Sequence, residues 1–150
     1  MTAPGGGIGP RLGQVRPQVG DNLGPLLVQV SRADLVRYAG ASGDFNPIHF
    51  SDAAAEAAGL PSVIAHGMFT MGAAIDLVVD WLGDPGRICA YNVRFARPVP
   101  VPPTGSVSLE VSGRIRAVNE DTAELVISVQ LGGTRLLGKA SATVRLAPAA

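Results

Sequence analysis

Asp44 and His49 stand out in this 150-residue sequence because their types and spacing could support acid–base chemistry. They lie five residues apart in a polar segment, with Pro47 between them. Proline fixes φ and restricts the residue before it, so the segment can bend and bring both side chains together. A carboxylate and an imidazole held in this way could transfer protons to and from one reacting molecule. The alternative is that Asp44 caps a turn and His49 is an ordinary loop histidine.

A second pair, His66 and Gly67, begins the longest apolar-periodic segment. The N-terminus of a helix leaves backbone N–H groups unpaired and carries a positive partial charge. A glycine there lets a ligand oxygen approach the backbone, as in an oxyanion hole. Gly67 could instead simply ease the entry into the helix. His66 could hold the loop or the helix start without taking part in chemistry.

Other kinds of active site are less consistent with the sequence. Asp44, His49 and His66 could ligate a metal, but they lack the i, i+4 histidine spacing of helix-borne zinc sites, and we expect no metal. Ser42 or Ser51 could form a triad with histidine and aspartate, although no Gly-x-Ser-x-Gly elbow is present. Because the sequence contains no glycine-rich phosphate loop and no nicotinamide or flavin fingerprint, we expect no cofactor.

The elements that would position these residues are predicted from periodicity and from capping residues. A short strand, Pro25–Val30, precedes a helix with Ser31 as N-cap, which Gly40 and Gly43 end. The polar segment follows, and then a short helix over residues 52–58 and a long helix over residues 66–81. The apolar spacing of the long helix involves Met68, Met71, Ile75, Val78, Val79 and Leu82.

Four predicted strands complete the chain, over residues 87–99, 106–118, 123–131 and 135–146. Helices followed by consecutive strands indicate an α+β fold, with an antiparallel sheet whose one face the long helix covers. We treat most of residues 1–20, rich in glycine and proline, as a flexible tail. Because the N-terminus lacks a secretory signal and no apolar run is long enough to span a membrane, we expect no membrane contact and a cytoplasmic location.

Charge and composition exclude some partners. Twelve basic and twelve acidic residues cancel, so the broad positive field that nucleic-acid binding needs is absent. Hydrophobic residues make up 47% of the chain and charged residues 16%, which suggests a buried subunit contact beyond the core. Arg87, Arg94 and Arg97 could contact a phosphate or an acidic carrier, or could be ordinary solvated arginines. The single cysteine, Cys89, lies in an apolar strand and is predicted to be a buried, inert thiol.

Two segments resemble a known family. Residues 38–49, YAGASGDFNPIH, resemble the signature of the MaoC-like, (R)-specific enoyl-thioester hydratases and dehydratases, and residues 66–72 resemble the start of their central helix. Residues 83–102 add a resemblance to the catalytic B subunit of the mycobacterial (3R)-hydroxyacyl-ACP dehydratase. The similarity covers about residues 20–147. We take residues 21–150 as one MaoC-like domain.

This resemblance implies a hot-dog fold, in which an antiparallel sheet wraps around a long helix, and a dimer with its sites at the subunit contact. It implies that Asp44 and His49 are catalytic and that the Gly67 N–H holds the thioester carbonyl oxygen. It also implies roles in substrate binding or loop support, which we assign to Asn46, His66 and Met68. We favour loop support for Asn46 and His66. For Met68 and Tyr38 we favour packing in the core.

The implied activity is the reversible hydration of trans-2-enoyl thioesters and dehydration of (3R)-3-hydroxyacyl thioesters. Coenzyme A or acyl carrier protein (ACP) would carry the acyl group, so the pantetheine arm belongs to the substrate. Two alternatives stay open: a hot-dog acyl thioesterase and a non-catalytic partner subunit of a heteromeric dehydratase. The partner in the dimer could be a second copy or a related hot-dog subunit.

Overall fold

A computed structural model describes residues 15–146 as one sheet and three α-helices. Two short 3₁₀ turns are also present: Pro47–His49 precedes the second helix and Pro85–Arg87 follows the third. In chain order the elements are β1 (Asn22–Ser31), α1 (Arg32–Ser42), α2 (Asp52–Ala57), α3 (Gly67–Leu82), β2 (Ile88–Phe95), β3 (Ser106–Val118), β4 (Thr122–Leu131), β5 (Thr134–Arg135) and β6 (Leu137–Arg145).

All paired strands in the sheet are antiparallel, in the order β1-β3-β4-β6-β2, with the two-residue strand β5 added to β4. Strand β2 is therefore one edge of the sheet and β1 is the other. Residues alternate between buried and exposed along β3 and β4, as expected for a sheet with one covered face. This arrangement confirms the predicted α+β class and the hot-dog fold.

Helix α3 covers the buried face of the sheet. Ala74, Leu77, Val78 and Trp81 are at most 5% exposed and recur at helical spacing. The buried face is therefore rotated from the predicted one, because Leu77 and Trp81 point to the sheet while Met68, on the first turn, is 58% exposed. The helix packs against β1, β3 and β4, so the sheet curves around it.

Local capping fixes the ends of the two short helices. Ser31 and Asp34 form a capping box at the start of α1, and Gly43 ends that helix in the left-handed conformation, with φ of 76°. Gly40, expected to help end α1, lies within it. The Ser51 hydroxyl accepts the Ala54 N–H and begins α2. These contacts place the polar segment between two fixed helix ends.

Two segments depart from the sequence-based expectations. Residues 1–14 of the predicted tail lie outside the described residues, whereas Arg16 donates to the carbonyls of Asn119 and Glu120, and Gly20 N–H donates to Ile115 O. Residues 15–20 thus lie against β3 and its following turn. The expectation for Cys89 is wrong: its thiol is exposed, because Cys89 is the unpaired residue of a bulge between Ile88 and Ala90 on β2, an edge strand of the described sheet. No helix among residues 15–146 is both long and apolar enough to cross a bilayer.

Candidate active site

The polar segment after α1 is held by side-chain contacts to its own backbone. The Asp44 carboxylate, through Oδ1, accepts the Asn46 N–H at 3.2 Å, and Asn46 Oδ1 accepts the Ile48 N–H at 3.3 Å. Pro47 begins the 3₁₀ turn that ends at His49. Asp44 and Asn46 therefore form two successive Asx turns, and Asn46 has the contact expected of a loop-supporting residue.

His49 is oriented by a backbone carbonyl from the segment before α3. Its Nδ1 lies 2.7 Å from Ile64 O, and because a carbonyl only accepts, Nδ1 carries the hydrogen of that bond. In the neutral ring Nε2 then has the free lone pair. That atom lies 3.9 Å from Asp44 Oδ2. The His49 side chain is 9% exposed and that of Asp44 is 51% exposed, so the imidazole is buried and the carboxylate faces solvent.

The segment carrying Ile64 is itself fixed by long-range pairing. Ala65 N–H donates to Val99 O and Val101 N–H donates to Val63 O, each at 2.9 Å. The chain after β2 therefore holds residues 63–65 extended beside the site. The sequence contains no local signal that Ile64 would orient the histidine.

His66 lies beneath His49 and holds the same loop. Their rings stack at 3.8 Å between centroids with a tilt of 23°, and His66 Nε2 donates to the backbone carbonyl of Asp44 at 3.0 Å. Tyr38 also packs against His66, at 4.8 Å between ring centroids. The His66 ring is buried, and its Nδ1 has no hydrogen-bond partner among the described atoms. These contacts are those of a loop-supporting residue, and Tyr38 has the packing role expected of it.

The carboxylate and the two imidazoles come close enough to raise the question of a metal. Candidate ligand atoms of Asp44, His49 and His66 lie within 4.8 Å of one another. Histidine nitrogens bind zinc at about 2.0–2.1 Å along the lone pair, in the plane of the ring. In this stacked pair the ring planes run nearly parallel, so their lone pairs run side by side and do not converge on one ion. The absence of a metal stays a prediction, and the ring geometry supports it.

Gly67 is the first residue of α3 and lies beside this group. It shares with His49 the lining of a cavity of about 280 Å³, which is also bounded by Thr70, Phe95 and Arg97. The Phe95 ring lies so near that a methyl group on Gly67 would be 3.1 Å from it. A side chain at this position would therefore displace the Phe95 ring by a few tenths of an ångström, whether or not a ligand uses the amide. No side chain caps the N-terminus of α3, so backbone N–H groups of its first turn stay available.

A second cavity of about 430 Å³ adjoins the first, since Arg97 and Pro98 line both. Its other lining residues are mainly apolar, and they include Leu131 and Leu136. The two cavities together extend from the histidine pair towards the end of β4. Met68 is 58% exposed and lines neither cavity, so the expectation that it packs in the core is wrong, whereas its role in substrate binding or loop support stays a prediction.

The sequence profile of the MaoC-like domain family matches residues 16–130, which is most of the chain. The chain belongs to the MaoC-like domain family. The match includes the loop with Asp44 and His49, and it extends from the start of the described region to β4. Family membership confirms the resemblance that the loop and the helix start indicated.

Named MaoC-like relatives include 3-hydroxyacyl-thioester dehydratase X of Mycobacterium tuberculosis, which is 41% identical over 93 residues. That match covers 61% of this chain and 32% of the relative. The chain thus spans about a third of the length of this relative.

Solved structures of the MaoC-like family share the fold. One described as a MaoC-like dehydratase has a TM-score of 0.85 and 38% identity, covering 92% of this chain and 42% of that one. The (R)-hydratase from A. caviae involved in PHA biosynthesis has a TM-score of 0.76 and 25% identity, covering 87% and 98%. The truncated HadBC (3R)-hydroxyacyl-ACP dehydratase complex of Mycobacterium tuberculosis shares the fold at 21% identity, with a TM-score of 0.69, covering 85% and 96%.

Proposed function

We propose that this chain hydrates trans-2-enoyl thioesters and, in the reverse direction, dehydrates (3R)-3-hydroxyacyl thioesters. The observation that carries the proposal is the 3.9 Å gap between Asp44 Oδ2 and His49 Nε2, beside a cavity lined by Gly67. The gap is too long for a direct hydrogen bond. One water molecule can contact both atoms at about 2.8 Å, since hydrogen bonds to oxygen and nitrogen have that length.

In the proposed hydration step, the oxygen and both hydrogens of that water become part of the product. Its oxygen adds to C3 of the enoyl group, one hydrogen stays on it as the new hydroxyl, and a proton reaches C2. His49 is suited to accept and return this proton because Ile64 O holds its Nδ1–H and leaves Nε2 facing the gap. Asp44 holds the water from the other side while the Asn46 N–H fixes its second oxygen.

The thioester carbonyl oxygen gains negative charge as the water adds to C3. The first turn of α3 is suited to stabilise that charge, because its N–H groups are uncapped and the helix end is partially positive. A positioned acid–base group contributes roughly 10²–10⁴-fold to rate. One oxyanion donor contributes roughly 10²–10³-fold. The two together with substrate positioning reach the usual range of enzymatic rate enhancement, on the order of 10⁶ or more.

The subunit organisation is also part of the proposal. Strand β2 is an unpaired edge that ends at Phe95, an apolar side chain that is 49% exposed beside the first cavity. Exposed edges of this kind tend to pair with another chain. We expect a second copy, or a related hot-dog subunit, to cover this edge, as the HadBC complex is an assembly of such subunits. The cytoplasmic location stays a prediction.

The experiment is the loss of enoyl absorbance when the purified full chain is mixed with crotonyl-CoA, followed by chiral analysis of the 3-hydroxy product. Asp44→Asn and His49→Ala should each lower kcat by at least about 10²-fold without unfolding the protein. Glu56→Gln, an exposed carboxylate change on α2, is the control and should retain full activity.

Three other outcomes of these assays would each lead to a different conclusion. Release of free thiol from acyl-CoA without hydration would favour the thioesterase alternative. Inactivity of the chain alone, restored by a second hot-dog subunit, would assign it to a heteromeric enzyme. Full activity of His49→Ala would contradict the proposed mechanism.

A further inference from the structure

The balanced net charge of the chain conceals a segregation of its charged residues. Residues 32–84, which form the helical part, include seven acidic residues and two arginines. Residues 85–146, which form β2 to β6, include eight basic residues and four acidic ones. The helical part thus has a net charge of −5 and the strand part a net charge of +4, and the site lies where the two meet.

Four exposed cations gather beside the two cavities. Arg94 on β2 lies directly opposite Lys139 on β6, and the aliphatic part of Arg94 lies near Gly138. Arg97 lines both cavities, and its backbone N–H donates to Leu136 O one residue from Arg135. Like charges placed directly opposite each other destabilise a sheet, so the fold by itself does not explain this arrangement.

The row of cations continues along the outer face of β6. Lys139 and Arg145 are both exposed and are six residues apart on a regularly alternating strand, which places them on the same face at a separation of roughly 20 Å. We call Arg94, Arg97, Arg135, Lys139 and Arg145 the basic stripe.

No acidic residue within residues 15–146 neutralises the basic stripe by an ion pair. Segments 85–109 and 125–146, which contain the whole stripe, include no aspartate or glutamate. The nearest acidic residues by register are Glu110, which Gln130 separates from Arg135, and two near Arg145. These two are Glu124, which already binds Arg116, and Asp121, whose backbone carbonyl accepts the Leu146 N–H. The stripe is therefore an exposed positive surface whose charge the described fold leaves uncompensated.

We propose that the basic stripe is the docking surface for an acidic acyl carrier protein that delivers the substrate, an inference that rests on the proposed function. A pantetheine arm attached to such a protein would pass Arg97 and enter the cavities towards Gly67. The length of the stripe favours a protein over coenzyme A. Coenzyme A has all its phosphates on one nucleotide, which cannot contact both Lys139 and Arg145, whereas an acidic helix can extend over roughly 20 Å. Charge complementarity of this kind raises association rates.

The test compares two substrates that differ only in the carrier. The full chain and the triple variant Arg94→Gln/Arg135→Gln/Lys139→Gln, which leaves the cavity-lining Arg97 in place, are assayed at low salt with crotonyl-ACP and with crotonyl-CoA. We expect kcat/KM for crotonyl-ACP to fall by roughly 10-fold or more, because steering by surface charge is lost. For crotonyl-CoA we expect a change within about twofold, since exposed single-charge contacts are weak. Added salt should reduce the wild-type advantage with crotonyl-ACP.

Arg37→Gln is the control, because it removes an exposed arginine from α1 on the acidic side of the molecule. It should leave kcat/KM for both substrates within about twofold of the wild-type value. An equal loss with both substrates, or no loss with either, would overturn the docking proposal.

A binding measurement separates this proposal from the proposed function. The anisotropy of a dye-labelled holo acyl carrier protein, without an acyl group, reports docking whether or not the chain is an active hydratase. Binding by the wild type that weakens roughly 10-fold in the triple variant would support the docking surface even if neither thioester were hydrated. Absence of binding by the wild type, or equal binding by the triple variant, would refute it while leaving hydration of crotonyl-CoA as the separate test of function.

Discussion

The two ends of helix α3 differ in how their backbone groups are satisfied. At the N-terminal end no side chain caps the helix, and both Gly67 and Met68 are exposed. At the C-terminal end Trp81 and Leu82 are each 5% exposed, and Gly83, with φ of 70°, donates its N–H to Val79 O at 2.8 Å. One end of the helix is thus closed by burial and a glycine cap, although Trp81 also borders a separate cavity. The other end is open, because its first turn is uncapped beside the cavity that His49 lines.

The difference shows how one helix can serve both stability and function. Burial of the last two turns against the sheet anchors α3, so its first turn can keep unpaired N–H groups at a cavity without loss of the fold. Substitutions at the two ends should therefore separate: those at the C-terminal end should change the free energy of unfolding, and those at the N-terminal end should change the rate.

The largest effect is expected at the closed end. Trp81→Ala removes a buried aromatic side chain and should lower the free energy of unfolding by about 3–5 kcal/mol. Chemical denaturation of the purified protein measures it, with kcat determined on the folded fraction. Met68→Ala is the control at the open end and should change stability by less than about 0.5 kcal/mol. A comparable loss in both variants would contradict the difference between the ends.

A smaller effect is expected at the open end, and on rate. Gly67→Ala places a methyl group between the cavity and the Phe95 ring, and it should lower kcat/KM for crotonyl-CoA by about 10²-fold, the size of one lost oxyanion contact. Steady-state kinetics and denaturation are measured on the same preparation.

The Phe95→Leu background shows which neighbour the methyl group disturbs. If Gly67→Ala/Phe95→Leu stays slow although the contact with the Phe95 ring is gone, the methyl group blocks the approach of the substrate to the amide. Recovery of the rate in that double variant would mean that Gly67 serves only to admit the Phe95 ring, and the oxyanion role would be lost.

The smallest effect is expected at Tyr91 on the edge strand β2, which contacts α3 between its two ends. Its hydroxyl donates to Met71 O at 2.8 Å, so Tyr91→Phe should cost about 1 kcal/mol of stability. Burial raises the pKa of Tyr91 to about 12 from the ordinary 10.0.

The raised pKa also sets the sign of a pH dependence. Because the folded state holds the phenol proton more tightly than the unfolded chain, this stabilisation is complete below pH 10 and is lost as the pH rises from 10 towards 12. Denaturation of the wild type and of Tyr91→Phe over this range should converge as the pH rises. Curves that stay parallel over this range would contradict the raised pKa of Tyr91.

The elements were largely predictable because their signals are local. Ser31 is the N-cap of α1 as expected, Gly43 ends that helix, and β3 has the predicted bounds. The contacts that Asp44 and Asn46 make with their own loop also depend on residues only two positions away. Short-range hydrogen bonds of this kind are properties of the sequence wherever the segment lies.

Other features depended on which strands become neighbours. Cys89 was expected to be buried and is exposed because it lies at a bulge of the edge strand β2, and the buried face of α3 is rotated because the sheet packs on Leu77 and Trp81. The approach of Phe95 to Gly67 likewise joins residues that are distant in the chain. Such contacts have no local signature.

The sequence by itself determined which groups could do chemistry: a carboxylate, an amide and an imidazole in one loop, and a glycine at a helix start. Only the tertiary structure decided how they face each other. The pairing of residues 63–65 with 99–101 brings Ile64 O to His49, and the fold stacks His66 beneath it. The physical reason is that local hydrogen bonds shape a loop, whereas the direction of a catalytic side chain depends on partners that only long-range strand pairing and helix packing supply.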